Sequence, residues 1–123
     1  MRFLWVALGG AIGSLARYTI GAWIFNRMGA RFPYGTFFIN LTGCFIIGLA
    51  LTILDRHTEL PSAWRLAVPI GFVGAYTTFS TFEFETYRAA QERPSIALLY
   101  VVSSIVLGYF AVYLGIQTSK LFL

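Results

Sequence analysis

Charged residues are scarce in this chain: Asp, Glu, Lys and Arg together make up 11% of the sequence, against about 25% in soluble proteins. Apolar residues make up 58%, and the mean hydropathy is +0.72. This balance excludes an ordinary soluble domain and predicts an integral membrane protein. The net charge of +4 includes no basic run, so nothing in the sequence indicates a nucleic-acid-binding surface.

Cysteine and histidine are also few, which removes many catalytic arrangements. The single cysteine, Cys44, cannot form an intrachain disulfide, and it lies inside an apolar run, as expected of a small buried residue. The single histidine, His57, lies in a polar connection. The sequence has no Ser/His/Asp set, CxxC motif, phosphate-binding loop or pair of catalytic carboxylates. We therefore predict no enzyme and no organic cofactor.

Four segments are apolar over the length that a membrane helix needs, about 20 residues. The first continues past Arg17, which is too long for a signal peptide with an apolar region of about 7–15 residues. Because no internal repeat divides the chain, we predict one four-helix transmembrane domain over residues 1–123, in the inner (cell) membrane. The predicted spans are Phe3–Phe25, Gly35–Leu54, a third that begins near Leu66, and Ser95–Ser119.

The third span, LAVPIGFVGAYTTFSTFEFET, is rich in helix-breaking and hydroxyl residues. Pro69 removes a helical donor, and the glycines that follow loosen the backbone. We predict a broken helix with the interruption between Gly74 and Ser80, and a merely kinked helix is the alternative. Irregular backbone at membrane depth is tolerated only where it is buried in protein or lines a wet cavity.

Positive charges are balanced between the two ends of the predicted spans, four against four. Orientation in the membrane follows the excess of Lys and Arg in short cytoplasmic loops, and here there is none, so the chain is predicted to insert both ways round. Two opposed copies can close about a two-fold axis, which predicts an antiparallel dual-topology homodimer; a weak bias that selects one orientation is the alternative. One face holds Arg2, Arg56, Arg65 and Lys120, and the other holds Arg27, Arg31, Arg88 and Arg93.

Two polar residues interrupt the apolar spans. Arg17 lies within the first span, where a charge costs at least about 2.5–3.5 kcal/mol at the bilayer centre. It either draws anions into a vestibule or caps backbone carbonyls. Asn40, in the stretch FFINLTG, either donates its two amide hydrogens to an anion or holds two helices together.

Phenyl rings and hydroxyls alternate at the far end of the third span. Phe79 and Phe82 are three residues apart and share a face on a helix, with Ser80 and Thr81 between them. A phenyl ring is positive at its edge, and hydroxyls can turn to donate. The pattern therefore predicts a path of weak, neutral donors for a small hydrated anion; core packing of the two rings is the alternative.

The break also suggests a cation site, because unwound carbonyls such as those of Gly74 and Thr77 can hold a hard cation. The carboxylates that follow, Glu83 and Glu85, are expected near the membrane surface, paired with arginines. We do not place them in the narrowest part of an anion path.

The stretches YGTFFINLTGCFIIG and GFVGAYTTFSTFEFET resemble the Fluc (CrcB) family of fluoride channels, and the similarity covers essentially the whole chain. The resemblance implies a dual-topology homodimer with two antiparallel pores that exports fluoride passively. It also implies a structural Na⁺ at the dimer interface, held by the carbonyls of Gly74 and Thr77.

The resemblance implies site residues position by position. It makes Asn40, Phe79, Phe82, Ser80 and Thr81 pore residues and Arg17 a vestibule residue. On the fourth helix it matches Tyr100 and Ser104 to the pore, with Ser103 as the alternative register. Two positions depart from the family pattern: Ala75 replaces a common second glycine, and Glu83 replaces a common small polar residue.

Two other functions fit four short spans. A small multidrug-type, proton-coupled cation transporter has a similar size and dual topology, but it needs a carboxylate within the membrane. The only candidates here are Glu83 and Glu85. The second alternative is an assembly subunit with no transport of its own.

Overall fold

A computed structural model describes residues 1–122 as a bundle of helices joined by short turns. Three of the helices are long and apolar enough to cross a membrane. Each contains the corresponding predicted span and is one to three residues longer at one or both ends, because polar residues continue the terminal turns. These helices are α1, Arg2–Met28; α2, Tyr34–Arg56; and α6, Pro94–Ser119, which a 3₁₀ turn, Lys120–Phe122, follows.

The turns between helices carry the residues that end helices. Gly29 follows α1 with φ 76°, a left-handed conformation that glycine adopts without strain. Pro94 is the first residue of α6, where its missing N–H has no helical partner to lose. At the end of α2, Arg65 donates to the Leu54 carbonyl at 2.6 Å and to Asp55 at 2.8 Å.

The third span is two helical pieces, so the kinked-helix alternative is wrong. The interruption, residues 77–79, lies inside the predicted interval, and Thr77 is extended with φ −82° and ψ 159°. The first piece includes a π-helix that the sequence did not predict, with Pro69 inside it. The pieces are α3, Ala63–Arg65; the π-helix, Leu66–Val73; α4, Gly74–Tyr76; and, after the break, α5, Ser80–Glu92.

The bundle is assembled from two close helix pairs, α2 with α6 and α1 with the π-helix. Buried glycines make the close approach possible: a Cβ on Gly13 would overlap the Phe72 carbonyl, and one on Gly115 would overlap the Phe45 carbonyl. Small residues at helix contacts are typical of membrane proteins. The α5 helix packs mainly on α6, so the break separates the third span into pieces with different neighbours.

The interior of a single chain is small. The buried apolar residues include Ile39, Tyr76, Phe82 and Tyr100, whereas large apolar side chains such as Trp23 and Tyr109 are exposed. In a membrane these exposed side chains face lipid or another protein. Four spans of this length thus leave most of their apolar surface in contact with lipid or with a partner.

Candidate functional site

The break in the third span is clamped by the side chain of Asn40, half-buried on α2. The Thr78 N–H donates to Asn40 Oδ1 at 2.9 Å, and Asn40 Nδ2 donates to the Thr78 carbonyl at 3.1 Å. This reciprocal pair replaces the helical hydrogen bonds that Thr78 loses at the break. Because one amide hydrogen is committed to Thr78, Asn40 retains one for a ligand, whereas the sequence-based hypothesis of an anion site assumed both.

Arg17 caps the end of the first piece of the third span. Its Nε donates to the Ala75 carbonyl at 3.0 Å, so the capping interpretation of this residue agrees with the geometry. The guanidinium also lines a cavity, and a charge there attracts anions. The two alternatives from the sequence therefore do not exclude each other, because Arg17 has five N–H donors.

The Gly74 and Thr77 carbonyls at the break have no hydrogen-bond donor among residues 1–122. A continuous helix would pair the Gly74 carbonyl with the Thr78 N–H, but that N–H donates to Asn40 instead. The Thr81 N–H donates at 3.3 Å to Thr78 Oγ1 and not to the Thr77 carbonyl. Throughout residues 1–122, neither the Gly74 nor the Thr77 carbonyl has a donor. These are the two oxygens that the sequence singled out for a cation.

A groove of about 440 Å³ runs beside the break and borders α2, α5 and α6. We call it the groove. Its lining is mainly apolar, with a few polar groups close to the break. The predicted site residues in its wall are Asn40, Thr77, Phe79, Phe82 and Ser104, and Gly43, Cys44 and Thr78 also line it.

The two phenylalanines of the groove have different surroundings. Their ring centroids are 6.2 Å apart at 43°, so both are side by side, as their spacing predicted. Phe82 is 8% exposed, and its ring meets Tyr100 edge-on at 4.9 Å. Phe79, at the last position of the break, is 75% exposed. Core packing thus describes Phe82 within one copy but not Phe79.

The fourth helix presents one hydroxyl to the groove. Ser104 Oγ is buried and has no hydrogen-bond partner in the described chain. The alternative, Ser103, donates its hydroxyl to the Leu99 carbonyl within its own helix at 2.5 Å. Tyr100 is fully buried beneath Phe82, its hydroxyl likewise lacks a partner among residues 1–122, and it lies outside the groove wall.

A larger cavity of about 900 Å³ opens at the end of the bundle where α1 ends and α2 begins. We call it the vestibule. Four arginines line it against two carboxylates, those of Glu85 and Glu92, so the balance of charge favours anions. Thr81 lies in its wall, whereas Ser80 lines neither cavity. The arginines are Arg17, Arg31, Arg88 and Arg93.

Thr78 is the residue that sequence reasoning missed. It is the one side chain in the walls of both the vestibule and the groove, as far as residues 1–122 show. Its Oγ1 accepts from the Thr81 N–H and so caps α5. The repeated threonine of "YTTFS" was the available signal, since a capping residue is expected at the start of a helix.

The expected pairing of Glu83 and Glu85 with arginines is wrong in the described residues. Glu85 is half-buried and accepts a hydrogen bond of 2.5 Å from Thr36 Oγ1, and Glu83 is exposed without an ion pair. The ion pairs among residues 1–122 are His57–Glu59, in the loop after α2, and Arg65–Asp55, which joins α3 to the end of α2. A hydroxyl thus satisfies Glu85 where a cation was expected.

Comparison with known proteins identifies the family of the chain. The model of the family described as CrcB-like protein, Camphor Resistance (CrcB), matches residues 4–116. A protein named fluoride-specific ion channel FluC from Acidobacterium capsulatum is 67% identical over 116 residues, which are 94% of this chain and 93% of that protein. A protein of the same name from Solibacter usitatus is 53% identical, over 94% of this chain and 95% of that protein. Another from Magnetococcus marinus is 43% identical, over 98% of this chain and 99% of that protein. Because the matched region covers nearly all of the membrane-spanning helices, the chain is a membrane protein that belongs to the CrcB-like family.

Proposed function

We propose that the protein is a channel that lets fluoride leave the cell passively. The observation that carries the proposal is the position of the break: it separates an arginine-lined vestibule from a groove with neutral donors, and Thr78 borders both. The relatives named as fluoride-specific channels, up to 67% identical, supply the identity of the anion. A channel role also fits the lack of any recognisable catalytic set in the sequence.

The chemistry of the path follows from these walls. Arg17 and the other vestibule arginines raise the local concentration of anions. The free amide hydrogen of Asn40 and the unpartnered hydroxyl of Ser104 can each donate to an ion in the groove. The exposed edge of Phe79 adds weak positive potential without a full charge. Several weak sites allow both entry and exit.

A single copy leaves the groove open, which supports an antiparallel homodimer with two pores. Phe79 and Ile105, both in the groove wall, are 75% and 65% exposed. A second copy inserted the other way round would cover this face. The balanced distribution of Lys and Arg supports both orientations in the inner membrane.

A structural Na⁺ at the dimer interface is part of the proposal. The chemistry of the donors fits, because the Gly74 and Thr77 carbonyls are hard oxygen ligands that lack hydrogen-bond donors. Gly74 is exposed in one copy, as a site shared with a partner requires. The ion would neutralise the partial negative charge of these oxygens. The other backbone groups at the break are bound by the side chains of Asn40 and Arg17 and need no ion.

Purified protein in liposomes tests the function. Vesicles loaded with fluoride and diluted into fluoride-free buffer should release it when valinomycin and potassium balance the charge, as measured with a fluoride electrode. Liposomes without the protein (empty liposomes), loaded with fluoride in the same way, are the control. A release equal to that of empty liposomes contradicts the channel and favours an assembly subunit.

The same vesicles separate the channel from a proton-coupled cation transporter. Glu85 is the half-buried carboxylate that such a transporter would use. We expect fluoride release without an imposed proton gradient, and no uptake of a lipophilic cation such as ethidium driven by one. Ethidium uptake that Glu85→Gln abolishes would contradict the proposal.

A further inference from the structure

The side chain of Thr77 is held in one orientation at the start of the break. Its hydroxyl donates to the Val73 carbonyl at 2.9 Å, and its N–H donates to the same carbonyl at 3.0 Å. With the hydroxyl bound there, the methyl group, Cγ2, points at α2. It lies directly over Gly43, which is buried and has no side chain of its own.

A methyl group on Gly43 would overlap the Thr77 Cγ2 atom. The next atoms in line are Tyr76 Cδ2 at 3.5 Å and Thr77 Cβ at 3.6 Å, which are ordinary contacts. The conflict is therefore between two methyl groups and involves no backbone atom of another helix. This contact differs from those of Gly48 and Gly115, where a Cβ would overlap a carbonyl of the packed helix.

Thr77 cannot relieve such a conflict by a free rotation. A β-branched side chain has few allowed values of χ1, and turning away from α2 removes its hydroxyl from the Val73 carbonyl. Otherwise the backbone has to move, which changes the extended conformation with ψ 159°. That angle sets the direction of the Thr77 carbonyl, because ψ rotates the carbonyl about the Cα–C bond.

We propose that Gly43 is a positioning residue for the cation site: its missing side chain seats the Thr77 methyl and thereby fixes the direction of the Thr77 carbonyl. Gly43 supplies no ligand to the cation and acts on it through Thr77. The inference rests on the proposed function for the identity of the ion, and it adds a residue of α2 to a site otherwise built from the third span. It also explains why a glycine is needed at a position where the helix itself has no special φ.

A size-exchange experiment tests this role. Gly43→Ala adds the conflicting methyl group, and Thr77→Ser removes its counterpart while keeping the hydroxyl that binds Val73. The matched control is Gly10→Ala, because a Cβ there meets Gly71 O at 3.8 Å and Ala75 Cβ at 3.9 Å, both ordinary contacts. Each variant and the double variant are purified in detergent. Their thermal midpoints are measured against NaCl, with N-methylglucamine chloride holding the ionic strength constant, and fluoride release is measured alongside.

We expect the Na⁺ concentration needed to raise the thermal midpoint to increase in Gly43→Ala by roughly fivefold to a hundredfold, since overpacking typically costs about that range of free energy. The double variant Gly43→Ala/Thr77→Ser should return to within about threefold of wild type, because the second methyl is gone. Gly10→Ala should keep the wild-type Na⁺ dependence. Thr77→Ser alone loses the seated methyl but keeps the hydroxyl bond to Val73, so it should weaken the Na⁺ dependence by no more than the double variant does. Rescue by the smaller partner distinguishes positioning from general destabilisation.

Three results would overturn the inference: a wild-type Na⁺ dependence in Gly43→Ala, a double variant no better than Gly43→Ala, or the absence of any Na⁺ dependence in the wild type. If Gly43→Ala does not fold, the double variant decides, since recovery supports the methyl conflict and failure to recover contradicts it. Fluoride release by the wild type is scored separately. Its loss refutes the channel. Its presence with either of the first two results refutes only the role of Gly43, and its presence without any Na⁺ dependence in the wild type also refutes the structural Na⁺.

Discussion

Replacing Asn40 by alanine should destabilise the break in the third span by an amount that can be worked out from its two hydrogen bonds. The substitution removes the partner of the Thr78 N–H, at 2.9 Å, and of the Thr78 carbonyl, at 3.1 Å. Each unsatisfied group costs about 1–3 kcal/mol when it is buried. Since both hydrogen bonds are only part-buried, we expect the lower end for each, or about 2–3 kcal/mol in total.

The free energy of unfolding can be measured in dodecyl maltoside by titration with SDS, with far-UV circular dichroism reporting the helices. Thr52→Val is a suitable control on the same helix, because Thr52 Oγ1 donates only to the Gly48 carbonyl one turn before it. The free energy of unfolding of Thr52→Val should stay within about 0.5 kcal/mol of the wild-type value. Fluoride release should fall with Asn40→Ala, because the remaining amide hydrogen is lost as well.

Asn40→Asp refines the same prediction. The carboxylate still accepts from the Thr78 N–H but cannot donate to the Thr78 carbonyl, so the loss of stability should be smaller than with alanine. Its charge opposes an anion: at about 4 Å and an effective dielectric of 20 the repulsion is about 4 kcal/mol, or roughly a thousandfold in occupancy. Asn40→Ala as stable as Thr52→Val would refute the clamp, and full fluoride release by Asn40→Asp would refute the donor role.

Three further predictions concern the path and the orientation. Phe79→Ile and Phe82→Ile should both suppress fluoride release with the dimer intact. Only Phe82→Ile should also lower the free energy of unfolding, by about 1 kcal/mol, because it loses the edge contact with Tyr100. Undiminished fluoride release by both variants would contradict the ring-edge hypothesis. Arg17→Gln should reduce fluoride release most at low ionic strength, where charges act over about 30 Å. It should also remove the cap on the Ala75 carbonyl. An equal reduction at low and high salt would contradict the attraction of anions by Arg17 and support only its capping role. Tags at the C-terminus should be accessible from both sides of the membrane, and protease protection of every tag in sealed vesicles would contradict dual topology.

The location of the break was predictable from the sequence because proline, glycine and hydroxyl residues gather in this span, and hydropathy fixes the lengths of the spans. The helix nevertheless continues through Pro69 and Gly74 and ends only at Thr77, so these residues marked the region without breaking the helix themselves. The π-helix was not predictable, since its wide turns depend on how the first piece of the third span packs against α1. A proline favours an irregular turn there but does not select between a kink, a break and a π-helix.

The partners across the bundle were the part that the sequence could not supply. Asn40 and Thr78 are 38 residues apart and Arg17 and Ala75 are 58 apart, and no periodicity records which carbonyl a long polar side chain reaches. Glu85 illustrates the same limit, because nearby arginines suggested an ion pair and the fold placed Thr36 closer. Residue types indicated where polar groups were needed, whereas their pairing required the packing of α1 and α2 against the break.

The distribution of these partners gives the break its chemical character. The Ala75 carbonyl is capped by Arg17, and both backbone groups of Thr78 are bound by Asn40. Had the helices supplied donors to every exposed carbonyl, the break would have no affinity for a cation. With no donors at all, irregular backbone at membrane depth would cost several kcal/mol for each group. The chain satisfies the Ala75 carbonyl and both groups of Thr78, and it leaves the oxygens of Gly74 and Thr77 without a donor among residues 1–122, which is the arrangement that the proposed Na⁺ site requires.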